Sequence, residues 1–270
     1  MRKVKDKPLI YLFMALLALF FLAPFTWLIL SSVDPKADIR FRIPSSITLN
    51  HYAKVLTGRT FTWIVNSSII SLASATLATL LSVLASYSLT RYKFKGREAL
   101  VDFFVILRLM PVMVVVLPIM IIFARIGILD TLFSVILLET ALELPFSVMI
   151  GSSYFETIPT DFEEAAMIDG CNRFLAFLRV TLPLSLPGLV TIWLLAFVTA
   201  WGDFLVPLFL LRTPDKFPVS VGIYMVFGEH GTVNYGLLSA LSIIYSIPVL
   251  VVFLLMRKYL TKGIAGLAIR

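Results

Sequence analysis

Long stretches without a charged residue constrain the fold of this sequence more than any other feature, and three of them suffice to predict the fold class. These three are Pro8–Val33, Phe61–Thr90 and Val180–Gly202. Each is long enough to cross the hydrocarbon core of a bilayer as a helix, which takes about 20 residues. Because lipid offers the backbone no hydrogen-bonding partner, such spans must be helical. The sequence therefore predicts an all-α polytopic membrane protein.

The composition of the whole chain agrees with this class. The 270 residues are 59% hydrophobic and 14% charged, whereas soluble domains average about 25% charged residues. The length rule predicts about six spans, at Leu9–Ser32, Trp63–Arg91, Val101–Ala124, Leu132–Tyr154, Leu184–Val206 and Gly236–Met256. Three prolines within these spans are predicted to kink or end helical turns: Pro111, Pro118 and Pro145.

The net charge of +7 is concentrated at the ends of the apolar runs. Twelve of the 23 basic residues are Arg2, Lys3, Lys5 and Lys7 before the first span, Arg91, Lys93, Lys95 and Arg97 after the second, and Arg257, Lys258, Lys262 and Arg270 after the last. With six spans these segments lie on one side, which the positive-inside rule assigns to the cytoplasm. The longer loop Val33–Thr62 holds five more at lower density: Lys36, Arg40, Arg42, Lys54 and Arg59. Both termini are predicted to be cytoplasmic, and the charge reflects topology rather than nucleic-acid binding.

A short charged helix is predicted on that same side, within Ile158–Phe174. Thr160 followed by Glu163 fits a capping box, in which each side chain bonds the other residue's backbone amide. Gly170 is placed to end the helix in the left-handed conformation. A solvated connector is the ordinary explanation of such a helix.

The residues that follow make a more specific pattern. The stretch EAAMIDGCNRFLAFLRVTLP, from Glu164 to Pro183, fits E-A-A-x(3)-G-x(9)-[IV]-x-L-P at every defined position. It resembles the signature loop of permease subunits from binding-protein-dependent ABC importers. Six further stretches, in the family's order, are similar to the six-span permease subunit of the maltose/trehalose type: Asn50–Leu56, Phe61–Ile70, Leu109–Pro118, Gly127–Thr131, Glu143–Ile150 and Trp201–Leu208.

This resemblance implies a type I ABC importer permease fold in a prokaryotic plasma (inner) membrane. Residues 1–62 would hold the cytoplasmic N-terminus, the first span and an external loop, residues 63–257 the permease core with a coupling loop at 155–183, and residues 258–270 a cytoplasmic tail. The coupling loop would contact a cytoplasmic ATPase. Its candidate residues are Glu163, Glu164, Ala165, Ala166, Asp169, Gly170, Leu182 and Pro183.

The resemblance also implies partners and a cargo. They are a second, different permease subunit, two copies of the ATPase, an external solute-binding protein and a sugar or oligosaccharide. The sequence contains no Gly-Lys dipeptide, so it has no P-loop to cradle phosphates. ATP and Mg²⁺ are therefore expected on the partner ATPase, with no cofactor on this chain. No catalytic or metal-binding constellation is found, since His51 and His230 fall on separate predicted loops.

A few polar residues are predicted inside the spans: Arg108, Glu139, Glu143, Asp203 and Asn66. Because charge in lipid is costly, such residues face a partner or a wet cavity. Arg108 and the two glutamates form either a polar translocation path or an ion pair, and the sequence leaves both open. Asp203 either lines the path or lies at the membrane interface, and small polar residues such as Asn66 more often mediate helix packing than bind substrate. Two other functions also stay open: an ABC importer of a non-sugar solute such as glycerol phosphate, a phosphonate or an amino acid, and an ion-coupled secondary transporter.

Overall fold

A computed structural model describes residues 7–228 and 233–267, and every regular element within them is helical. The α-helices are α1 (Lys7–Val33), α2 (Asn50–Val55), α3 (Gly58–Arg91), α4 (Arg97–Leu109), α5 (Val112–Arg125), α6 (Leu132–Glu156), α7 (Asp161–Ile168), α8 (Arg173–Ala176), α9 (Leu182–Leu184), α10 (Leu186–Gly202), α11 (Leu205–Leu210), α12 (Val219–Gly228) and α13 (Tyr235–Leu267). A π-helical turn, Phe177–Thr181, joins α8 to α9, and a 3₁₀ turn, Pro214–Lys216, precedes α12. The predicted all-α class is confirmed. Arg2, Lys3, Lys5, His230 and Arg270 lie outside the described residues.

Four helices are each long and apolar enough to cross a bilayer: α1, α3, α6 and α13. Two more candidate spans are bent pairs. The chain bends by 96° between α4 and α5, and by 72° between the helical segment Arg173–Leu184 and α10. Counting each pair as one span gives up to 6 spans among the described residues, by length and composition. The predicted third span, Val101–Ala124, is thus not a straight helix.

The sharp bend between α4 and α5 has a local cause at Pro111. Met110 and Pro111 both adopt extended backbone, with ψ of 128° and 133°. Proline lacks an N–H and disfavours helical conformation in the residue before it, so α4 ends at Leu109. By contrast, Pro118 and Pro145 lie inside continuous helices. Of the three prolines predicted to disturb a helix, only Pro111 stands at a break between helices.

The described residues pack as two compact units, one within Met1–Phe61 and Gly222–Ile247 and the other within Thr62–Val221 and Pro248–Arg270. In the first unit, the apolar window of α1 has none of its residues buried, as expected of a helix that faces lipid. Arg42 donates its Nε hydrogen to Asp34 at 2.6 Å, and this bond holds the pKa of the Asp34 carboxyl below its usual value. The contact orders the loop that follows α1.

In the second unit, small residues allow close packing of the helices. The buried positions of α3 include Ser71, Ser74, Ala75, Ala78, Ser82 and Ser86. Ser86 donates to the carbonyl of Val148 on α6 at 3.0 Å, and a Cβ added to Gly151 would collide with the Ser86 side chain. Small residues and hydroxyl bonds of this kind hold transmembrane helices together, because lipid supplies no hydrophobic driving force between them.

Candidate coupling surface and intramembrane cavity

Helix α7 is the short charged helix that the sequence predicted, and its C-terminal end is confirmed. Gly170 has φ of 93°, a left-handed conformation that glycine adopts without steric cost. The amide of Cys171 donates to Ala166 O at 3.0 Å and that of Gly170 to Met167 O at 3.1 Å. These two bonds make a Schellman motif, which satisfies carbonyls at the end of a helix.

The N-terminal end of α7 differs from the prediction. Thr160 makes no side-chain capping bond, so the predicted capping box is wrong. Thr160 has helical backbone angles, with φ of −67° and ψ of −24°, rather than the extended angles of a capping residue. Glu163 in turn is 6% exposed and bonds inside the protein. The first turn is held instead by the backbone carbonyl of Thr160, which accepts from the amides of Glu163 and Glu164.

Glu163 is the centre of a buried polar network. Its carboxylate accepts hydrogen bonds from Arg91 Nε at 2.7 Å, Thr181 Oγ1 at 2.8 Å and Tyr87 Oη at 3.0 Å. Arg91 also donates through Nη2 to the carbonyl of Ile158 at 2.8 Å. Burial opposes ionisation of Glu163, but these donors outweigh it and hold the pKa of the carboxyl below its usual value. The network ties α7 to the end of α3 and to the π-helical turn.

An apolar cluster surrounds this network, made of Val83, Tyr87, Phe155, Ile158 and Phe177, with Leu182 packed against it. Leu182 of the signature stretch therefore supports the loop from inside. Glu163 likewise belongs to the loop but lies on its inner side, away from the surface that Glu164 occupies. No spacing rule marked Arg91 as its partner, because the two residues are 72 positions apart.

The opposite face of α7 is open. Glu164, Ala165 and Asp169 are exposed, and two large apolar side chains lie among them, Phe162 at 52% exposed and Ile168 at 87%. We call these five residues the coupling face. An apolar patch flanked by carboxylates on a short, rigidly anchored helix is typical of a helix that binds in a groove of a partner.

A separate cavity of about 120 Å³ brings together four of the polar residues predicted inside the spans, Arg108, Glu139, Glu143 and Asp203. Glu139 and Glu143 are 2% and 4% exposed. The guanidinium of Arg108 lies 4.7 Å from the ring centroid of Phe146, as a cation–π contact. Thr199 joins the lining from α10. The common cavity is compatible with both predictions for these residues, a polar path and a pairing of Arg108 with a glutamate.

Asp203 has a second role at this cavity. Its carboxylate accepts from the amides of Leu205 at 3.3 Å and Val206 at 2.9 Å, so it caps the start of α11. A carboxylate at a helix N-terminus is favoured by the unpaired amides and by the helix dipole. Asp203 therefore both positions α11 and lines the cavity.

Asn66 does not join this group. Its amide donates to the carbonyls of Asp215 at 2.8 Å and Phe217 at 3.1 Å. Trp63 donates to Pro214 O at 2.8 Å, and Ser67 Oγ accepts from the amide of Val219. The start of α3 thus holds the loop between α11 and α12, and Asn66 is a structural residue.

Asp130 holds the same loop from its other side. Its carboxylate accepts from the amides of Arg212 at 2.8 Å and Thr213 at 3.0 Å, from the Thr213 hydroxyl at 2.6 Å and from Lys216 Nζ at 3.0 Å. Burial opposes ionisation, but the Thr213 hydroxyl and the two amides outweigh it, so the pKa of Asp130 is lowered. No sequence pattern predicted a role for this residue beyond its place in Gly127–Thr131.

Replacing Asp130 with alanine is expected to loosen the loop. Several donors would lose their acceptor, at a local cost of about 1–3 kcal/mol, so the amides of Arg212 and Thr213 should exchange hydrogen at least about tenfold faster. Since the pKa of Asp130 is lowered in the fold, the contribution is present at neutral pH and is lost only as pH falls through that lowered value. Hydrogen-exchange mass spectrometry measures the effect. Asp102→Ala, an exposed carboxylate on α4, is the control, and equal protection in the two variants would contradict the assignment.

Comparison with known proteins agrees with this architecture. Residues 78–266 match the family described as the binding-protein-dependent transport system inner membrane component. The chain belongs to this family. It is an inner-membrane permease component of such a transport system, which confirms the resemblance carried by the signature stretch.

The chain is also similar to individual transport permeases, some of which are named for a cargo. The chain is 34% identical to the trehalose/maltose transport system permease protein MalG of Thermococcus litoralis, covering 94% of each chain. It is 31% identical over 227 residues to the inner membrane ABC transporter permease protein YcjP of Escherichia coli, covering 83% of this chain and 81% of that one. It is 30% identical to the sulfoquinovosyl glycerol permease SmoH of Agrobacterium fabrum, covering 96% and 93%.

A solved structure shows the same fold. The chain superposes on a bacterial ABC transporter involved in import of the acidic polysaccharide alginate with a TM-score of 0.82. The match covers 96% of this chain and 99% of the other at 21% identity. The ABC importer permease fold expected from the sequence is confirmed.

Proposed function

We propose that this chain is the permease subunit of an ATP-driven importer that carries a maltose- or trehalose-like sugar or oligosaccharide by alternating access. The observation that carries the proposal is the open coupling face of α7, joined to α3 through the buried bond between Glu163 and Arg91. The trehalose/maltose permease among its relatives supports a sugar as cargo.

The coupling face has the chemistry of a docking helix. Phe162 and Ile168 supply apolar area for a groove in the ATPase, and Glu164 offers a carboxylate for a charge-assisted bond to a basic residue there. A buried ion pair resists separation, because breaking it leaves an uncompensated charge. Movement of α7 with the ATPase would therefore be passed to the end of α3 rather than absorbed in the loop.

The role proposed for this chain implies the other subunits of the transporter. A second, different permease subunit would complete the translocation path, and two copies of the ATPase would bind ATP and Mg²⁺ in the cytoplasm. An external solute-binding protein would deliver the sugar to the loops opposite the coupling face, including the loop held by Asp130 and Asn66. Both termini of this chain would then be cytoplasmic, as the basic residues predict.

Reconstitution tests the proposal. The chain is co-expressed with the products of its neighbouring genes and purified, and the complex is placed in proteoliposomes with the binding protein outside. We expect an ATPase to co-purify, and ATP hydrolysis to rise when liganded binding protein is added. Uptake driven by this chain and an ion gradient, without ATP, would overturn the proposal in favour of a secondary transporter.

A further inference from the structure

Two interruptions of the apolar helices meet at the cavity that holds Glu139. Helix α4 ends at Leu109 and α5 begins at Val112 after a bend of 96°. Helix α10 ends at Gly202, and α11 begins at Leu205. Both breaks contribute lining residues, among them Met110, Val112 and Asp203. Non-helical backbone at membrane depth is tolerated where it lines a wet cavity, and broken helices of this kind form substrate sites in other transporters.

At this cavity, Glu139 carries an oxygen that is unpaired in the part of the chain that the structure describes, while its carboxyl also hydrogen-bonds with the carboxyl of Asp203. It is 2% exposed, and among the described residues its Oε1 atom has no hydrogen-bond partner. A buried carboxylate oxygen without a donor costs free energy, so buried polar atoms are normally paired with protein, water or ligand. The cavity volume of about 120 Å³ is several times the roughly 10–15 Å³ that one water requires. The cavity that Glu139 lines therefore has room for the hydroxyl groups of a ligand.

The other lining groups define what that ligand can be. Glu143 and Asp203 add carboxyl groups, Thr199 adds a hydroxyl, and Arg108 adds a single guanidinium. Carboxyl oxygens accept hydrogen bonds from hydroxyl groups, whereas a carboxylate ligand would meet three acidic side chains against one basic one. Leu107, Leu142 and Val206 supply apolar area for the C–H face of a sugar ring.

We propose that this cavity is a ligand subsite for the hydroxyl groups of a neutral sugar, with Glu139 as its principal acceptor. This subunit would then bind the transported sugar directly, and it would bind acidic saccharides more weakly than neutral ones. The inference rests on the proposed function, and it adds the residues of this subunit that would bind the sugar. It also separates this chain from the alginate transporter that shares its fold, since that transporter is involved in import of an acidic polysaccharide.

Binding of matched sugar probes to the purified whole transporter tests the subsite. The probes are methyl α-glucoside and methyl α-galactoside, each compared with its uronic acid counterpart, which differs only in carrying a carboxylate at C6. Saturation-transfer NMR, with the binding protein omitted, detects the weak complexes directly. We expect at least one neutral glycoside to bind about tenfold more tightly than its uronate, because a repelled, unpaired carboxylate is costly in a buried site.

Variants assign the preference to this cavity. Glu139→Leu should weaken binding of the neutral glycoside about tenfold. Glu139→Gln keeps the shape and an acceptor oxygen, so it should retain the neutral glycoside while admitting the uronate more readily. A general loss of folding would not produce that exchange of selectivity. Asp102→Asn, an exposed carboxylate on α4, is the control and should bind as the wild type does.

The outcomes separate the subsite from the proposed function. If every neutral probe binds no better than its uronate, or if both Glu139 variants bind as the wild type does, the subsite is refuted. ATP hydrolysis stimulated by liganded binding protein is measured on the same preparation. Stimulation without an effect of Glu139 overturns the subsite alone, whereas absence of stimulation in the wild type overturns the proposed importer.

Discussion

Replacing Glu164 with lysine is expected to release the ATPase from the complex while leaving the chain in the membrane. Glu164 is exposed on the coupling face, so the change does not disturb the buried network around Glu163. Reversing a charge within an interface removes a charge-assisted bond and adds repulsion, at a cost of several kcal/mol. We expect the amount of ATPase that co-purifies to fall at least about tenfold, with a parallel loss of stimulated ATP hydrolysis.

The matched control for this prediction is Glu98→Lys. Glu98 is also an exposed carboxylate in the first turn of a helix, α4, and it follows the basic turn predicted on the same side of the membrane. It therefore receives the same change of charge away from the coupling face. Wild-type coupled transport by Glu164→Lys, or an equal loss in the Glu98 variant, would remove the docking role assigned to Glu164.

Replacing Glu163 with leucine is expected to have a larger effect on the structure of the loop. The change leaves the guanidinium of Arg91, which is 9% exposed, without its carboxylate, and it takes an acceptor from Tyr87 and Thr181. Breaking one side of a buried ion pair typically costs about 3–5 kcal/mol. The amides of α7 should therefore lose most of their protection from hydrogen exchange.

Two further variants separate the ion pair from simple packing. Glu163→Gln keeps an acceptor oxygen and should retain part of the protection of α7. The double variant Glu163→Leu, Arg91→Met removes both charges and should recover stability relative to Glu163→Leu alone, because no unpaired charge remains. Strictly additive losses in the double variant would show that the two side chains are not coupled.

The transport readout for Glu163 differs from that for Glu164. The Glu163 variants keep the exposed coupling face, so some ATPase should still bind, but fewer sugars should be imported per ATP hydrolysed. The pKa of Glu163 is lowered in the fold, so the ion pair is intact at neutral pH. Its contribution is lost only as pH falls through that lowered value, below the usual range of a glutamate near 4.3. Protection of α7 should accordingly be flat between about pH 6 and 8.

Local rules predicted the parts of this chain that depend on neighbours in sequence. Uncharged runs predicted the helical spans, because in lipid the backbone N–H and C=O groups of a span must bond to one another. Gly170 ends α7 as predicted, because the left-handed conformation is a property of the residue and its adjacent turn. Leu132–Tyr154 was predicted close to the observed α6, Leu132–Glu156.

The same rules failed where contacts between residues distant in sequence decided the conformation. Thr160 and Glu163 have the spacing of a capping box, but the donors of Arg91, Tyr87 and Thr181 attract the glutamate instead. Pro111 and Pro118 look alike in sequence, yet only Pro111 stands between two helices at a sharp bend. Polarity alone could not separate Asn66 from the cavity residues, whereas in the fold its amide holds a loop.

The sequence by itself determined that this chain is an all-α membrane protein, and its signature stretch indicated the importer family. Those features depend on hydropathy and on spacing along the chain. Only the tertiary structure decided that Glu163 turns inward to Arg91, that Glu164 stays outside, and that Arg108, Glu139, Glu143 and Asp203 surround one cavity. The physical reason is that a buried carboxylate requires donors, and those donors come from residues far away in sequence that folding alone brings within about 3 Å.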